Sequence, residues 1–406
     1  MKMLLQISWR NVWRHPARSG VLLGAIIAGL WAGIVVSGWT NGLIDQRINR
    51  VIQEDLTHIQ IHHPEFRTER EPGMIINNIE EIESFLESDE RVVGYTFRTK
   101  ADGIIQSPLT SSGVQITGVL TDKERETTTF HENLVLGDYL HNEIRNPILM
   151  GRGLAEKLNV EIGNRVVLSF QDLDNQFTSG SFNIVGLYYT GQPSFDEFKV
   201  YVRAEDLSNL ISEEQIYHEV AIKLHNADMS NQVASELNEN HTDILAETWT
   251  ELSPELRYMT GSGDSYSFYV MVVIMFALAF GILNTMLMSI FERMRELGML
   301  MAIGMGRSKI FIMIMTESVI LTITGAVAGM LLAYGTINFF SENGFDLSAV
   351  GGDTLKEWGY DAIVYPKVSS EEYIMIAVLV IFTALIAAIY PAIKALRINP
   401  GEAVRE

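Results

Sequence analysis

Four long apolar stretches constrain the fold of this chain of 406 residues more than any other feature. A helix needs roughly 20 mainly apolar residues to cross the hydrocarbon core of a bilayer, and the first two stretches carry no charged side chain. Helices buried in soluble proteins are shorter or amphipathic, which makes them the weaker explanation. We therefore predict four transmembrane helices, at residues 20–40, 266–291, 310–340 and 373–396.

Charge is distributed very unevenly along the chain. Residues 41–265 hold 38 acidic and 17 basic side chains, a net charge of −21, against −20 for the whole protein. Most of the other basic residues lie in three short segments: Lys2, Arg10, Arg14 and Arg18; Arg293, Arg295, Arg307 and Lys309; Lys394, Arg397 and Arg405. Because short loops rich in Lys and Arg stay in the cytoplasm, both termini and residues 292–309 are expected there. Residues 41–265 and 341–372 are then extracytoplasmic.

The segment before the first predicted span, residues 1–19, is amphipathic. Leu5, Trp9, Val12 and Trp13 share one helical face, and tryptophan favours the depth of the lipid headgroups. The apolar run that follows is too long for a signal peptide, and no small-residue cleavage pattern comes after it. We expect a cytoplasmic interfacial helix, then a retained anchor, with residues 397–406 as a cytoplasmic tail.

The acidic block has the pattern of a mixed α/β domain. Alternating or β-branched runs predict strands at 56–61, 92–98, 114–119, 165–170, 182–189, 198–202 and 219–224. Helical periodicity predicts helices at 79–86, 153–158, 204–211 and 231–237. Near its end, Leu245, Trp249, Leu252, Leu256 and Met259 form a heptad-like stripe. With the helical spacing that follows the first span, this stripe favours stalk helices at both ends of the domain; ordinary core-facing helices are the alternative.

Several kinds of chemistry are absent from the sequence. A strongly acidic chain does not suit nucleic acid, and the absence of cysteine excludes a disulfide framework. There is neither a P-loop nor an H-E-x-x-H motif. His58 and His62 would share one face of a strand, as a weak metal or pH-sensing site or, in the favoured interpretation, as a solvated surface. We predict no catalytic residue, no metal site and no enzymatic activity in this chain.

The segment between the second and third spans is unusually rich in charged residues and glycine. It reads FERMRELGMLMAIGMGRSKI, residues 291–310, a helix with charges of both signs followed by glycines. The enrichment of basic residues beside the cytoplasmic ends of membrane spans would explain the arginines but not the glutamates. A short amphipathic helix that docks on a cytoplasmic partner explains both.

This stretch resembles a known family. NTMLMSIFERMRELGMLMAIGMGRSKI, followed by Glu317 and by Gly325-x-x-x-Gly329, is similar to ABC-transporter permeases of the MacB/FtsX superfamily, especially the lipoprotein-releasing LolC/LolE type. The opening SWRNVWRHPARSGVL, the ending YPAIKALRINPGEAVRE and the run ILMGRGLAEKLNVEIGNRVVLSF extend the resemblance over most of the chain. Met301 and Val404 depart from it, where arginine and leucine are usual.

The resemblance implies a mechanism. The run E-R-x-R-E-[IL]-G forms the family's coupling helix, which sits in the ATPase cleft; its positions here are Glu292, Arg293, Arg295, Glu296, Leu297, Gly298 and Met299, with Gly304 after them. ATP and Mg would belong to a separate ATPase subunit, and this chain would bind no cofactor itself. A second permease protomer, identical or paralogous, is expected alongside membrane lipids. Motion would pass through the spans into the outer domain, which is called mechanotransmission.

The implied function is lipoprotein release from the inner membrane, with lipoprotein cargo and a periplasmic carrier or adaptor as further partners. Efflux of peptides or small molecules, as in MacB, is an alternative from the same class. A second class of function is an FtsX-like activator that transports nothing and acts on an envelope partner. The size of the outer domain favours release.

Two further sets of residues lie within the predicted spans. Glu317 is an intramembrane carboxylate, which is costly without a partner or a role, and pairing with Arg307, Lys309 or a neighbouring helix is favoured over contact with substrate. Small-residue spacing that permits close helix packing occurs at Gly20, Gly24, Gly29, Gly33, Gly325 and Gly329. The frequency of glycine in membrane helices explains these glycines equally well.

Overall fold

The computed structural model describes residues 2–14, 16–141, 143–212, 214–348, 360 and 362–397, with the backbone alone at 2–5, 7, 11, 18 and 260–267. The predicted tail after residue 397 and most of 349–361 lie outside the described residues. The chain divides into two compact units. A helical unit comprises Met1–Ile44, Thr260–Leu347 and Ile363–Glu406, and an α/β unit comprises Asp45–Met259 and Ser348–Ala362.

Among the described residues the α-helices run in chain order as α1 (Lys2–Arg14), α2 (Pro16–Val51), α3 (Phe66–Glu69), α4 (Ile79–Ser88), α5 (Thr121–Thr127), α6 (Arg152–Leu158), α7 (Pro193–Asp196), α8 (Ala204–Ile211), α9 (Ser230–Asn240), α10 (Trp249–Leu252), α11 (Pro254–Glu292), α12 (Met294–Ala302), α13 (Arg307–Asn343) and α14 (Ser370–Ala395). A π-helical turn, Ile52–Leu56, continues α2, and short 3-10 turns lie at Phe130–Asn133 and Ala227–Met229.

Within the described residues, four helices are long and apolar enough to cross a membrane: Ser19–Leu56, Phe268–Glu292, Arg307–Asn343 and Ser370–Ala395. On α2, side chains four residues apart form one fully buried stripe: Leu22, Ile26, Leu30 and Ile34. This spacing keeps the stripe on one helical face. It belongs to a continuous apolar core of the helical unit, together with residues of α11, α13 and α14.

Two glycines of α2 permit an unusually close backbone approach. The segment that precedes α14 crosses α2 at this point, where Gly38 accepts a hydrogen bond from the Lys367 N–H at 2.9 Å. A Cβ at Gly42 would overlap the carbonyl oxygen of Tyr365 and lie 3.1 Å from the Cα of Pro366. The atoms in the way are backbone, which cannot move aside as a flexible side chain would.

We expect Gly42→Ala to destabilise the helical unit by about 1–3 kcal/mol, the usual cost of overpacking. Gly20→Ala is the matched control on the same helix, since no atom of the described residues lies within 4 Å of a Cβ built there. Alanine favours a helix over glycine by up to about 1 kcal/mol, so the control is expected to be neutral or stabilising. Thermal unfolding in detergent compares the two, and equal effects would contradict the proposed close approach.

The strands are β1 (Ile59–His62), β2 (Val92–Gln106), β3 (Ser111–Val119), β4 (Leu134–Gly137), β5 (Pro147–Gly151), β6 (Arg165–Gln171), β7 (Phe177–Tyr188), β8 (Lys199–Arg203), β9 (Glu219–Leu224), β10 (Leu245–Thr248), β11 (Phe345–Asp346) and β12 (Ile363–Val364).

Ten of these strands form one sheet in the α/β unit. Its order is β10-β1-β9-β2-β3-β8-β5-β7-β4, and β6 pairs with both β2 and β7. The β3–β8 and β5–β7 pairs are parallel, and the other pairs are antiparallel. The long strand β2 pairs with β9 over its first half and with β6 at its end. One strand thus joins two apolar cores, the first with α4 and α9 and the second with α6 and α8.

A charged cluster lies inside the sheet at the middle of β2. The Arg98 side chain is fully buried and donates to Glu124 Oε1 at 2.6 Å, to Glu219 Oε1 at 2.7 Å and to the Asp55 carbonyl oxygen at 2.7 Å. Glu219 Oε2 lies 3.3 Å from Lys100 Nζ. Buried charges are tolerated only when they are paired and hydrogen-bonded, and these residues satisfy one another.

The surroundings of His62 correct one prediction. His62 is 3% exposed, and its Nε2 lies 3.3 Å from Glu219 Oε2, so the solvated strand surface expected here is wrong. His58 Nδ1 accepts a hydrogen bond from the Leu224 N–H at 2.9 Å. β1 pairs with β9 on one side and β10 on the other, which removes it from the sheet edge.

The heptad-like stripe is also corrected. Leu245 begins strand β10 and Trp249 begins the short helix α10, while Leu256 belongs to α11, so no single helix carries the stripe. Ser253 adopts an extended backbone, φ −126° and ψ 90°, before Pro254. A residue before proline is disfavoured in the α conformation, which separates α10 from α11.

The prediction for strands was incomplete. Predicted strand 219–224 and helix 204–211 have the observed bounds, but β4, β5 and β10 were not predicted. The strand predicted at 56–61 begins later, at Ile59, because the π-helical turn extends to Leu56. Thr57 follows the turn with φ 56°, a strained conformation for a β-branched residue.

Candidate functional site: the segment between the second and third spans

The segment after the second span forms a short helix between two breaks. α11 ends at Glu292, and Arg293 has non-helical angles, φ −103° and ψ 16°, before α12 begins. After α12, Gly304 has φ +98°, a conformation that glycine adopts without strain. Gly306 has an extended backbone and precedes the first residue of α13. The glycines after the charged run therefore form the turn that starts the next span.

Arg293 points into the protein. Its Nη1 lies 2.9 Å from Glu317 Oε2 and 3.2 Å from Oε1, and the two side chains are only 11% and 10% exposed. This charge-assisted pair joins the start of α12 to a residue about three turns into α13. Of the partners predicted for Glu317 (Arg307, Lys309 or a neighbouring helix), the structure shows the last, because Arg293 lies at the junction of α11 and α12.

Glu296 links the same arginine to the N-terminal helix. Its Oε2 lies 3.3 Å from Arg293 Nε, and its Oε1 lies 3.5 Å from Arg14 Nη1. The Arg14 and Glu296 side chains are 66% and 38% exposed. An exposed pair of this kind contributes little stability by itself, so Arg293–Glu317 is the stronger of the two connections.

The other predicted coupling residues lie on different faces. Leu297 and Gly298 are buried, which fixes the inner face of α12. Glu292, Arg295, Met299 and the following Ile303 are exposed at intervals of three or four residues. Met299 and Ile303 are 50% and 84% exposed. We call Arg295, Met299 and Ile303 the outer stripe; it combines a cation with exposed apolar side chains, the composition of a docking face.

Four of the six predicted packing glycines meet another helix. A Cβ at Gly29 or Gly33 would lie 3.1 or 3.2 Å from Leu278 or Met271, respectively. The equivalent atoms at Gly325 and Gly329 would lie 2.9 Å from Ile26 and 3.2 Å from Ile27. Gly20 and Gly24 have no atom within 4 Å of such a Cβ among the described residues.

Sequence reasoning missed two features of the helical unit. Gly38 and Gly42 were not selected. They continue the alternating four- and five-residue spacing of the earlier glycines of α2, and this spacing could have identified them. Glu372 was likewise overlooked; its Oε1 accepts from Asn41 Nδ2 at 2.7 Å. It also completes a capping box with Ser369 at the start of α14.

Two family models match the chain. The model of the MacB-like periplasmic core domain matches residues 19–240, more than half of the protein, and the FtsX-like permease C-terminal model matches residues 268–400. The chain belongs to the MacB/FtsX family of ABC-transporter permeases. The predicted fold class, four membrane helices with a large α/β domain, is confirmed.

Relatives extend the comparison. The permease is 24% identical over 314 residues to the lipoprotein-releasing system transmembrane protein LolC of Neisseria meningitidis serogroup B, which covers 72% of this chain and 73% of the relative. It is 30% identical over 224 residues to the pyoverdine export ATP-binding/permease protein PvdT of Pseudomonas fluorescens, covering 53% of this chain and 32% of that protein. The solved periplasmic region of MacB from Actinobacillus actinomycetemcomitans is 14% identical, covers 50% of this chain and 94% of that one, and has a TM-score of 0.35.

The family and the four helices make this permease a multi-pass protein of the bacterial inner membrane. Its relatives are permease components of ABC transporters. The residues of α12 and its neighbours thus lie in the part of a permease that the FtsX-like model covers.

Proposed function

We propose that this permease belongs to a lipoprotein-releasing ABC transporter and is driven by a separate ATPase subunit through mechanotransmission. The similarity to LolC, over about three quarters of each chain, supports this proposal. The ATPase holds ATP and Mg, and this chain contributes no catalytic residue and no cofactor site. Both termini and α12 face the cytoplasm, where the ATPase binds.

The observation that carries the proposed coupling is that α12 has an exposed face on one side and a buried ion pair to α13 on the other. The outer stripe, Arg295, Met299 and Ile303, contacts the ATPase. Arg293 turns inward and binds Glu317 on α13. A displacement of α12 is therefore transmitted to the third span by a buried ion pair, and to α1 by the exposed Glu296–Arg14 contact.

The transporter contains two permease protomers, identical or paralogous, and two ATPase subunits. Closure of the ATPase dimer on ATP displaces α12, and the spans convey this motion to the α/β domain, which acts in the periplasm. Lipoprotein cargo leaves the outer leaflet and passes to a periplasmic carrier or adaptor.

Export of a small molecule or peptide is the second candidate, because PvdT is 30% identical over about half of this chain. Purification of the complex from its native membrane, followed by mass spectrometry of what co-purifies, separates the two. Lipidated proteins that are released on addition of ATP support lipoprotein release. A complex with an outer adaptor and no lipidated cargo contradicts it and favours export, and a cell-wall hydrolase alone favours an FtsX-like activator.

We expect Arg295→Glu with Met299→Asp to weaken binding of the ATPase to this permease and to reduce its response accordingly. Loss of central interface contacts costs about 2 kcal/mol or more, which is roughly thirtyfold in affinity. Co-purification of the ATPase and its turnover in nanodiscs measure the effect. Lys157→Glu, at an exposed site of the α/β unit, is the charge control. Full ATPase binding and turnover in the double variant would refute the assignment of the outer stripe.

A further inference from the structure

The α/β unit contains a pocket that the proposed function does not use. Its volume is about 180 Å³. Drug-sized ligands occupy roughly 300–1,000 Å³, so this pocket fits a small ion or a headgroup and not a whole lipid. Its walls come from the π-helical turn, β1, α3, β2, β3, β8, β9 and Leu252 of α10.

The lining reverses the charge balance of the domain around it. Four basic side chains face the pocket, Arg67, Arg70, Lys100 and Lys199, together with the acidic residues Asp55, Asp102 and Glu219. Across residues 41–265, by contrast, acidic residues outnumber basic ones by 38 to 17. Almost a quarter of the basic residues of this acidic block therefore lie around one small cavity.

The basic residues form two tiers. Lys100 and Lys199 lie at the floor, with side chains 9% and 18% exposed, and Lys199 binds the Asp55 carboxylate. Arg67 and Arg70, three residues apart at α3, are 37% and 51% exposed. Arg67 Nη1 contacts Glu247 Oε1 at 2.6 Å, and Arg70 Nη1 contacts Asp102 Oδ2 at 3.2 Å. Arg67 also donates to the carbonyl oxygens of Glu251 and Leu252, so its guanidinium is held in place before any ligand arrives, whereas the exposed pair of Arg70 is weaker.

Lys100 is the least well compensated of these cations. Its ammonium lies 3.3 Å from Glu219 Oε2, an oxygen that also contacts His62, while Arg98 binds the other oxygen of the same carboxylate. Burial lowers the pKa of the Lys100 ammonium, with Glu219 acting in the opposite direction. A further negative charge in the pocket would stabilise this ammonium, because an opposite charge nearby favours the charged form.

We propose that the pocket binds a small phosphate-bearing anion, with Lys100 and Lys199 at its floor and Arg67 and Arg70 at its mouth. Arginine and lysine are the side chains that recognise phosphate oxygens in proteins. The phosphate belongs either to a free anion or to a lipid headgroup. This site goes beyond the proposed function and does not depend on an ATPase, so each can fail without the other.

Isothermal titration calorimetry on the full chain in neutral detergent tests the site. Inorganic phosphate and glycerophosphoglycerol, the headgroup of phosphatidylglycerol, are titrated separately at constant ionic strength. We expect saturable binding of at least one of them. Tighter binding of inorganic phosphate identifies a free anion as the ligand, and tighter binding of the phosphodiester identifies a headgroup.

Variants locate the site. Lys100→Met is expected to weaken binding about tenfold, the effect of one charge-assisted hydrogen bond. The Arg70 side chain is more than half exposed, so Arg70→Gln should not disturb folding. We expect this variant to bind the anion several-fold more weakly. Lys157→Gln, a half-exposed lysine outside the pocket, is the control and should bind as the parent does. Absence of saturable binding in the parent, or equal affinity in Arg70→Gln and the parent, overturns the proposal.

Discussion

Arg98→Met is expected to lower the free energy of unfolding of the α/β unit by about 3–5 kcal/mol, the cost of leaving buried charges without their partner. Methionine fills most of the volume, but Glu124 loses two charge-assisted hydrogen bonds and Glu219 loses one. For a domain of roughly 200 residues, each kcal/mol shifts the Tm by about 2–4 °C. The variant should therefore melt roughly 6–20 °C below the parent.

Arg91→Met is the matched control for Arg98. Arg91 also bridges two carboxylates, Asp89 and Glu236, but its side chain is 24% exposed and Glu236 is 37% exposed. Water solvates the carboxylates when the arginine of such a pair is removed. We therefore expect the free energy of unfolding to fall by about 1 kcal/mol or less. Thermal and denaturant unfolding of the full chain measure both variants. Equal destabilisation by the two substitutions would show that the Arg98 cluster is not the stabilising centre of the sheet.

The pH dependence of stability provides a second measurement on the same cluster. Burial alone would raise the pKa of Glu219, but the Lys100 and Arg98 cations hold it well below its usual range. A depressed carboxyl pKa stabilises the fold above about pH 4.5, and this contribution is lost as the pH falls through the folded pKa. Burial lowers the pKa of His218 to about 4, so stability also falls as the pH drops from about 6.5 to 4.

The stabilising contributions of Glu219 and His218 should therefore both be lost in acid, whereas Asp196, whose pKa is raised by burial, acts in the opposite direction. In Arg98→Met the Glu219 pKa rises, because its partner is gone. The difference in unfolding free energy between the variant and the parent should then be smaller at pH 4 than at pH 7. A difference that does not change with pH would mean that the loss comes from packing and not from charge.

The sequence predicts those elements of the fold that depend on the hydrophobic pattern of a single segment. The apolar spans and the strand at 219–224 depend on hydrophobic runs within one element. Strand β5, Pro147–Gly151, is buried at every residue, between β7 and β8. Such a strand shows no alternation of apolar and polar residues, because both of its faces are covered. Its place in the sheet depends on pairing with strands distant in sequence.

The partner of Glu317 illustrates the same limit within the candidate site. Arg307 and Lys309 lie ten and eight residues before Glu317 on one helix, which is about 12–15 Å along the axis at 1.5 Å per residue. Side chains cannot bridge that distance, so helix geometry alone excludes both residues as partners of Glu317. That Arg293 is the partner depends on how α12 packs against α13, which no local pattern specifies. The outer stripe, in contrast, follows from the three- and four-residue spacing of Arg295, Met299 and Ile303.

Exchange of the two charges, Arg293→Glu with Glu317→Arg, is expected to restore coupling that each single substitution abolishes. Arg293→Glu alone places two carboxylates together in a buried site, and breaking such a pair costs about 3–5 kcal/mol. The exchange restores an ion pair between α12 and α13, at about 10% exposure for both positions. ATP turnover and cargo release by the assembled complex measure coupling, and thermal unfolding measures stability.

The single variant Arg295→Glu is the matched comparison, because its side chain is exposed on α12 and contacts the ATPase in the proposed complex. Arg295→Glu should lower coupling without the loss of stability expected of Arg293→Glu, since it leaves the Arg293–Glu317 pair intact. If Arg293 itself contacted the ATPase, the exchange would recover stability without recovering coupling, because the ATPase would still meet a glutamate. Recovery of both quantities by the exchange therefore distinguishes an internal link from a partner contact.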